Sequence, residues 1–286
     1  MGIIIFNITI RKMKLQLLTI FLLLSLSTWS QELFAVTEPA SNRPAGSIGF
    51  RVDNSIMDEL GTSTINYHLI PEIMFGLSKK LMVSGNVFFS NRSDVLKIEG
   101  GSIYAKYRFL SNDILQKHLR MAVFSRISYN NSDIHQEEIA IYGHNTGVEV
   151  GVVATQLLRK VAVSSSVSYV KATDNGNNNK FLYGLDNSKA LNYTFSIGKL
   201  MLPNEYKNYR QTNVNLMLEF LGQMNTGSGN YYMDIVPTVQ MIFNSQSRLD
   251  VGYRKELRST LLRTAPNGVF VRLEYTLFNA FKPLSR

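Results

Sequence analysis

The sequence contains no cysteine. For an exported chain this removes any disulfide framework and leaves stability to backbone pairing and packing, and it argues against lipoprotein-type processing after the leader. Long apolar runs are missing too. Beyond the first 30 residues there is no stretch of 18 apolar residues, so a bundle of membrane-spanning helices is not expected. An average hydropathy near zero does not exclude a membrane protein, because a transmembrane barrel shows only every second residue to lipid. Histidine is scarce, with His68, His118, His135 and His144 as the complete set. No His or Met pair among them and the eleven methionines has metal-ligand spacing, so neither a metal nor another cofactor is expected.

The amino terminus has the composition of an export signal. Arg11, Lys12 and Lys14 precede an apolar run over residues 17–26, which is too short to span a bilayer. Thr28 and Ser30 provide the small residues before a cleavage point near residue 30. Residues 1–12 add a second apolar stretch ahead of the basic residues, which Met13 as the translation start would explain. Residues 1–30 therefore read as a signal peptide and residues 31–286 as the mature domain. The net charge of +9 falls to +6 once the three basic residues of the leader are removed. The remaining basic residues are scattered rather than gathered on one element, so no nucleic-acid partner is expected.

From about residue 46 onward the chain breaks into twelve segments rich in Val, Ile, Tyr and Phe. Over residues 213–220, Val214, Leu216, Leu218 and Phe220 alternate with Asn213, Asn215, Met217 and Glu219. The last segment sets Val269, Val271, Leu273, Tyr275 and Leu277 against Arg272, Glu274 and Thr276. This period of two belongs to strands with one apolar and one polar face, and a helical period of 3.6 is absent. Pro71 and Pro237 fall inside two of the segments, which implies bulged or interrupted strands there.

The connectors fall at residues 53–62, 77–80, 91–97, 111–117, 130–138, 156–160, 172–189, 202–211, 222–230, 244–247 and 258–267. With the mature amino terminus in the periplasm, the odd-numbered connectors lie outside the cell and the even-numbered ones are mostly the shorter, the arrangement of outer-membrane barrels. Residues 173–189 make the longest external loop, polar and expected to be mobile. His118 is placed in a turn, His135 in a loop, and His68 and His144 on strands.

Twelve such strands could also stack as a soluble sandwich. The export signal and the charges on the polar faces favour a single antiparallel transmembrane β-barrel instead. So do aromatics near strand ends, namely Tyr67, Phe75, Phe89, Tyr104, Tyr169, Tyr193, Tyr231, Tyr232, Tyr253, Tyr275 and Phe278, which suit interfacial girdles. Strand spacing and tilt give a twelve-stranded barrel a backbone diameter of roughly 24 Å.

If the apolar faces meet lipid, the candidate lumen-lining set is Arg51, His68, Glu72, Lys106, Arg108, Arg120, Arg126, Glu149, Glu219, Asp234, Arg248, Asp250, Arg254, Arg272 and Glu274. Such charges can steer solutes through a constriction. They can equally pair across adjacent strands and hold the barrel together, because buried charges need partners wherever they occur. Arg248, Asp250, Arg254, Arg272 and Glu274 are the first place to expect such pairing. A barrel hydrolase is the competing class, but the GHNTG sequence at residues 143–147 has no nucleophile elbow, and no catalytic residues are assigned.

The PEIMFGLSKKLMVSGNVFF hairpin, the GGSIYAKYRFL strand and the closing GVFVRLEYTLF strand together resemble outer-membrane barrels of the transporter type, and are similar to the meta-pathway phenol-degradation porins. The resemblance implies a channel that admits small, often hydrophobic molecules. Residues 275–281 read as the insertion signal, although the chain continues past Phe281 as KPLSR. The expectation is a passive channel or uptake protein for small solutes in the outer membrane, with lipid as its partner. The alternative is a closed structural or surface-interaction barrel.

Overall fold

The structure is a computed structural model that describes residues 34–59, 65–91, 95–114, 117–181, 187–203 and 210–284. The signal peptide, its cleavage point and the alternative start at Met13 lie outside the described residues. Twelve strands form one sheet: β1 (Ile48–Asp58), β2 (Ile65–Gly76), β3 (Leu81–Ser90), β4 (Lys97–Ile114), β5 (Lys117–Asn130), β6 (Gly147–Leu158), β7 (Val161–Ala172), β8 (Lys189–Leu202), β9 (Asn213–Asn225), β10 (Tyr231–Phe243), β11 (Ser247–Ser259) and β12 (Asn267–Leu277). Each pairs with its sequence neighbours, and β1 pairs antiparallel with β12, so the sheet closes as an up-and-down barrel with no free edge. The closure excludes the two-layer sandwich.

The period of two sorts the side chains by face. On β5, Val123, Ser125, Ile127 and Tyr129 are exposed on the outside, while Ala122, Phe124, Arg126, Ser128 and Asn130 are buried within. On β9 the outer row is Val214, Leu216, Leu218 and Phe220, with Asn213, Asn215, Met217 and Glu219 buried opposite. The two prolines interrupt the ladder without shifting it. Pairing of β2 with β3 skips from Leu69↔Phe89 to Glu72↔Asn86 in unchanged register, and β10 with β11 skips from Ile235↔Lys255 to Thr238↔Gly252. Each proline lacks the N–H that the missing pair needs. The bulges lie elsewhere, at Phe88/Phe89, Arg108/Leu110, Leu200/Leu202 and Met233/Asp234.

Several boundaries differ from those read in the sequence. β1 runs to Asp58, five residues beyond the start of the connector placed at residue 53, because Asp53 and Ser55 continue the inward row while Asn54 and Ile56 continue the outward one. β4 reaches Ile114 and β9 reaches Asn225. His118 is the second residue of β5 rather than part of a turn. The larger correction concerns residues 139–146, which are not strand. β6 begins at Gly147, and the whole stretch 131–146 is connector, so His144 is not on a strand. Tyr104 and Tyr232 leave the expected girdle because they fall on inward positions of β4 and β10 and are buried.

The connectors after β2, β4, β6, β8 and β10 share one rim with the start of β1 and the end of β12, here the turn rim; the opposite end is the loop rim. Two strandless segments occupy the interior. Residues 34–46 rise from the turn rim, and Gly46, at φ +77°, makes the corner into β1. A Cβ there would lie 2.6 Å from the Phe281 carbonyl oxygen, so glycine is required. Residues 131–146 fold inward from the loop rim. Both dock on apolar patches of the inner wall: Ala40 against Met82, Tyr104, Ala122, Phe124 and Val153, and Ile139 with Ile141 against Val170, Ala172 and Ala190. The interior is therefore charged and apolar by turns, apolar where these segments pack.

Candidate permeation path

The segment 34–46 is held by inward side chains from across the barrel. Glu219 on β9 is fully buried, and its carboxylate accepts three successive backbone N–H groups, from Ala35 (3.0 Å), Val36 (3.1 Å) and Thr37 (2.7 Å). Thr37 Oγ1 lies 2.8 Å from Ser196 Oγ on β8, and the Ala40 N–H donates to Thr155 Oγ1 at 2.9 Å on β6. Glu38 receives Lys106 Nζ from β4 and the Arg51 guanidinium from β1, each at 3.3 Å. Burial alone would raise the Glu38 carboxyl; the cations around it, Lys106 and Arg51 foremost, outweigh burial and hold it well below the ordinary range. Arg120 on β5 reaches Ser41 at 3.0 Å, Arg43 pairs with Glu274, and Arg272 donates to the Ala35 carbonyl.

The inserted connector is held in the same manner from the other side. Glu138 pairs with Arg263 at 2.7 Å and with Arg254 at 3.1 Å. Burial pushes its carboxyl up, but the two guanidiniums win and lower it to about 2. Arg263, from the connector between β11 and β12, also reaches Asp234 at 2.7 Å and stacks 3.9 Å from the Tyr232 ring centre. Gln223 on β9 clasps Ile139 through both its backbone N–H and its carbonyl, each at 2.8 Å. Tyr142 donates to Asp53 at 2.6 Å; burial first, and the Asp53 charge next, push its phenol well above the usual value. The His144 ring lies 4.6 Å from His68 of β2, centre to centre. The first half of the loop after β7 packs on this connector as well, with Asn175 bonded to the carbonyls of Ser132 and His144 at 2.8 and 3.0 Å. That part of the loop expected to be mobile is tied down; residues 182–186 lie outside the described residues.

Most of the sequence-derived charged set meets in these networks. Arg51 joins Glu72 (3.2 Å) and Glu274 (3.0 Å), its register partners on β2 and β12. Arg126 faces Glu149 at 3.8 Å and lies between the rings of Tyr104 and Tyr142, at 4.8 and 4.6 Å. Arg248 binds Asp250 two residues along its own strand at 2.6 Å, with Glu274 at 3.9 Å. Arg254 takes Asp234 at 2.6 Å, while Arg272, opposite both Asp250 and Asp53, pairs with Asp53. Arg108 stands apart at the turn rim, bonded to the Lys79 carbonyl at 2.7 Å. Reading the strands missed Glu38, Arg43, Glu138 and Arg263, which lie outside the alternating runs, and Tyr142, which lies in a stretch read as the start of a strand. The available signal was Ile134, Ile139, Ile141 and Tyr142, which are apolar residues in a stretch otherwise read as loop and strand start.

Between the inserted connector and the walls of β1, β2 and β12 lies a cavity of about 590 Å³ on the loop-rim side. Val36 of the amino-terminal segment lines it, with Met57, Ile70, Ile134 and Phe270 as apolar wall and His68, His144, Asn66 and Asn145 as hydrogen-bonding wall. Its two guanidiniums, Arg272 and Arg254, stand among four lining carboxylates, Asp53, Glu59, Asp133 and Glu138, so the chamber holds no surplus of cations.

The chain is similar to an outer-membrane channel from Pseudomonas putida F1, with a TM-score of 0.53 at 13% identity over 85% of this chain and 99% of that one. The likeness is one of fold, that of the closed β-barrel. The KdgM porin (TM-score 0.46, 12% identity, 80% of this chain and 98% of that one) and the NanC porin (0.47, 9%, 81% and 98%) are more distant likenesses. No family model and no curated protein matches the sequence.

Proposed function

We propose that the protein is a passive channel for small solutes in the bacterial outer membrane, with the turn rim toward the periplasm and the buried charged set lining the path. The observation that carries this reading is the cavity of about 590 Å³ beneath the loop rim, whose lower boundary includes Val36 of the docked amino-terminal segment. A barrel serving as scaffold alone has no need of such a chamber. Because the lining sets hydrogen-bonding groups beside an apolar wall and holds no surplus of cations, the chamber suits small uncharged solutes that have both an apolar face and a hydrogen-bonding group, such as phenolic compounds. This agrees with the resemblance to phenol-degradation porins. The sugar-acid chemistry of KdgM, which was crystallised with oligogalacturonate, would call for a surplus of cations that this chamber does not hold.

Purified protein in planar bilayers tests the reading. Steady, salt-dependent conductance is expected, rising when residues 34–46 are deleted. Silence from both the full chain and the deletion variant, each shown to be folded, would favour the closed structural barrel instead. A lipase and protease assay on the same preparation, compared with His68→Ala and His144→Ala, tests the hydrolase alternative, and activity lost on either change would displace the channel reading.

A further inference from the structure

The two rims differ in charge. At the turn rim Lys79, Lys80, Lys117, Arg159, Lys160, Lys199 and Lys282 are exposed, with Arg108 partly so. Among the described residues of this rim the exposed carboxylate is Asp113, already held by Arg120 at 3.2 Å and His118 at 3.0 Å. The loop rim, by contrast, mixes exposed Lys97, Lys171, Lys180, Lys189 and Arg258 with exposed Asp58, Asp133 and Asp174 and half-buried Glu137.

The cations of the turn rim are also clustered. Arg108 bonds the Lys79 carbonyl through its side chain and the Lys80 carbonyl through its N–H, which gathers three cations, and the Leu284 N–H bonded to Leu77 brings the Lys282 tail alongside. In a second group, Lys117 lies opposite Leu158, the neighbour of Arg159, and Lys199 lies opposite Val161, the neighbour of Lys160. Arg159 occupies a φ of +55° at the hairpin tip, where glycine or asparagine is the easy choice. Both groups border the outward apolar band, beside exposed Phe109, Leu110, Leu158 and Leu202. That is the level at which lipid headgroups meet a barrel wall.

We propose that the turn rim is a binding surface for anionic phospholipid headgroups, those of the periplasm-facing leaflet. The proposal uses the orientation given above and is independent of whether the barrel conducts. Phosphate oxygens would meet the ammonium and guanidinium groups while the acyl chains lie along the neighbouring apolar residues.

The test uses the full chain in mixed micelles holding equal amounts of phosphatidylglycerol and phosphatidylcholine, with co-purifying lipid measured by mass spectrometry. Phosphatidylglycerol is expected to be enriched. Each cation near an anionic surface multiplies affinity by about five, so the variant Lys79→Gln/Lys80→Gln/Lys117→Gln/Arg159→Gln should lose at least about tenfold of that enrichment. Lys97→Gln/Lys171→Gln/Lys180→Gln/Lys189→Gln at the loop rim should keep it. Folding is read from heat-modifiable migration, and if the quadruple variant does not fold, Lys79→Gln/Lys80→Gln alone should show a partial loss. No enrichment in the unmodified protein, or equal losses from both rims, would overturn the proposal. Displacement of the lipid by soluble glycerol phosphate as effectively as by phosphatidylglycerol would overturn the assignment to lipid and leave a free phosphate ester as the ligand. Enrichment that follows an acidic protein contaminant rather than lipid would likewise overturn it.

Discussion

Arg51 has Glu72 and Glu274 on the strands to either side and Glu38 above it, all within 3.3 Å. Replacing it with methionine keeps much of the volume but strips buried Glu72 of its cation and leaves Glu38 and Glu274 with one fewer, a loss of about 3–5 kcal/mol. Urea titration of protein refolded into vesicles should show this as a lower midpoint with unchanged slope. Glu138 gives a pH-dependent counterpart. Its carboxyl is lowered from 4.5 to about 2 in the folded state. A depressed carboxylate contributes stability that is fully present above the ordinary value and is lost as pH falls through the folded one. The inserted connector should therefore stay docked at neutral pH, weaken below pH about 4.5 and lose the Glu138 contribution near pH 2. Hydrogen exchange at the Ile139 amide across that range would show it; unchanged protection down to pH 2 would mean that Glu138 does not hold the connector.

At the scale of elements, the strands were legible because each must satisfy water, lipid and the interior at once. That leaves a period of two in residues such as Val214 to Phe220. The inserted segments were not legible. Residues 34–46 and 131–146 touch the inner wall through single side chains and backbone groups, so their partners are not announced by a local period and lie up to 237 positions away. His144 was placed on a strand because Ile139 and Ile141 mimic the start of an alternating run; the inward fold of that run depends on Gln223 and Val170, which nothing local announces. The amino-terminal segment yields a direct prediction. Glu219→Gln retains the shape but exchanges a carboxylate that accepts three N–H groups for an amide with one acceptor oxygen. The segment should dock less tightly, and single-channel records should show a raised open probability relative to the unmodified protein. An unchanged record would remove Glu219 from any part in holding the segment.

For the molecule as a whole, closure of β1 onto β12 removes every sheet edge, and the remaining question is which face meets hydrocarbon. With Leu218 near the middle of its strand and pointing outward, Leu218→Arg should cost about 2–4 kcal/mol in a bilayer, whereas the same change at a rim position such as Leu158 should cost far less. Refolding yields and urea midpoints in vesicles would separate the two. The most direct measurement exploits the lack of native cysteine. Single cysteines placed in turn at residues 213–220 of β9, labelled with a fluorophore and reconstituted in brominated lipid, should be quenched at 214, 216, 218 and 220 and spared at 213, 215, 217 and 219. Quenching without that alternation, or with the two sets exchanged, would contradict a barrel that turns its apolar row to lipid and its charged row inward.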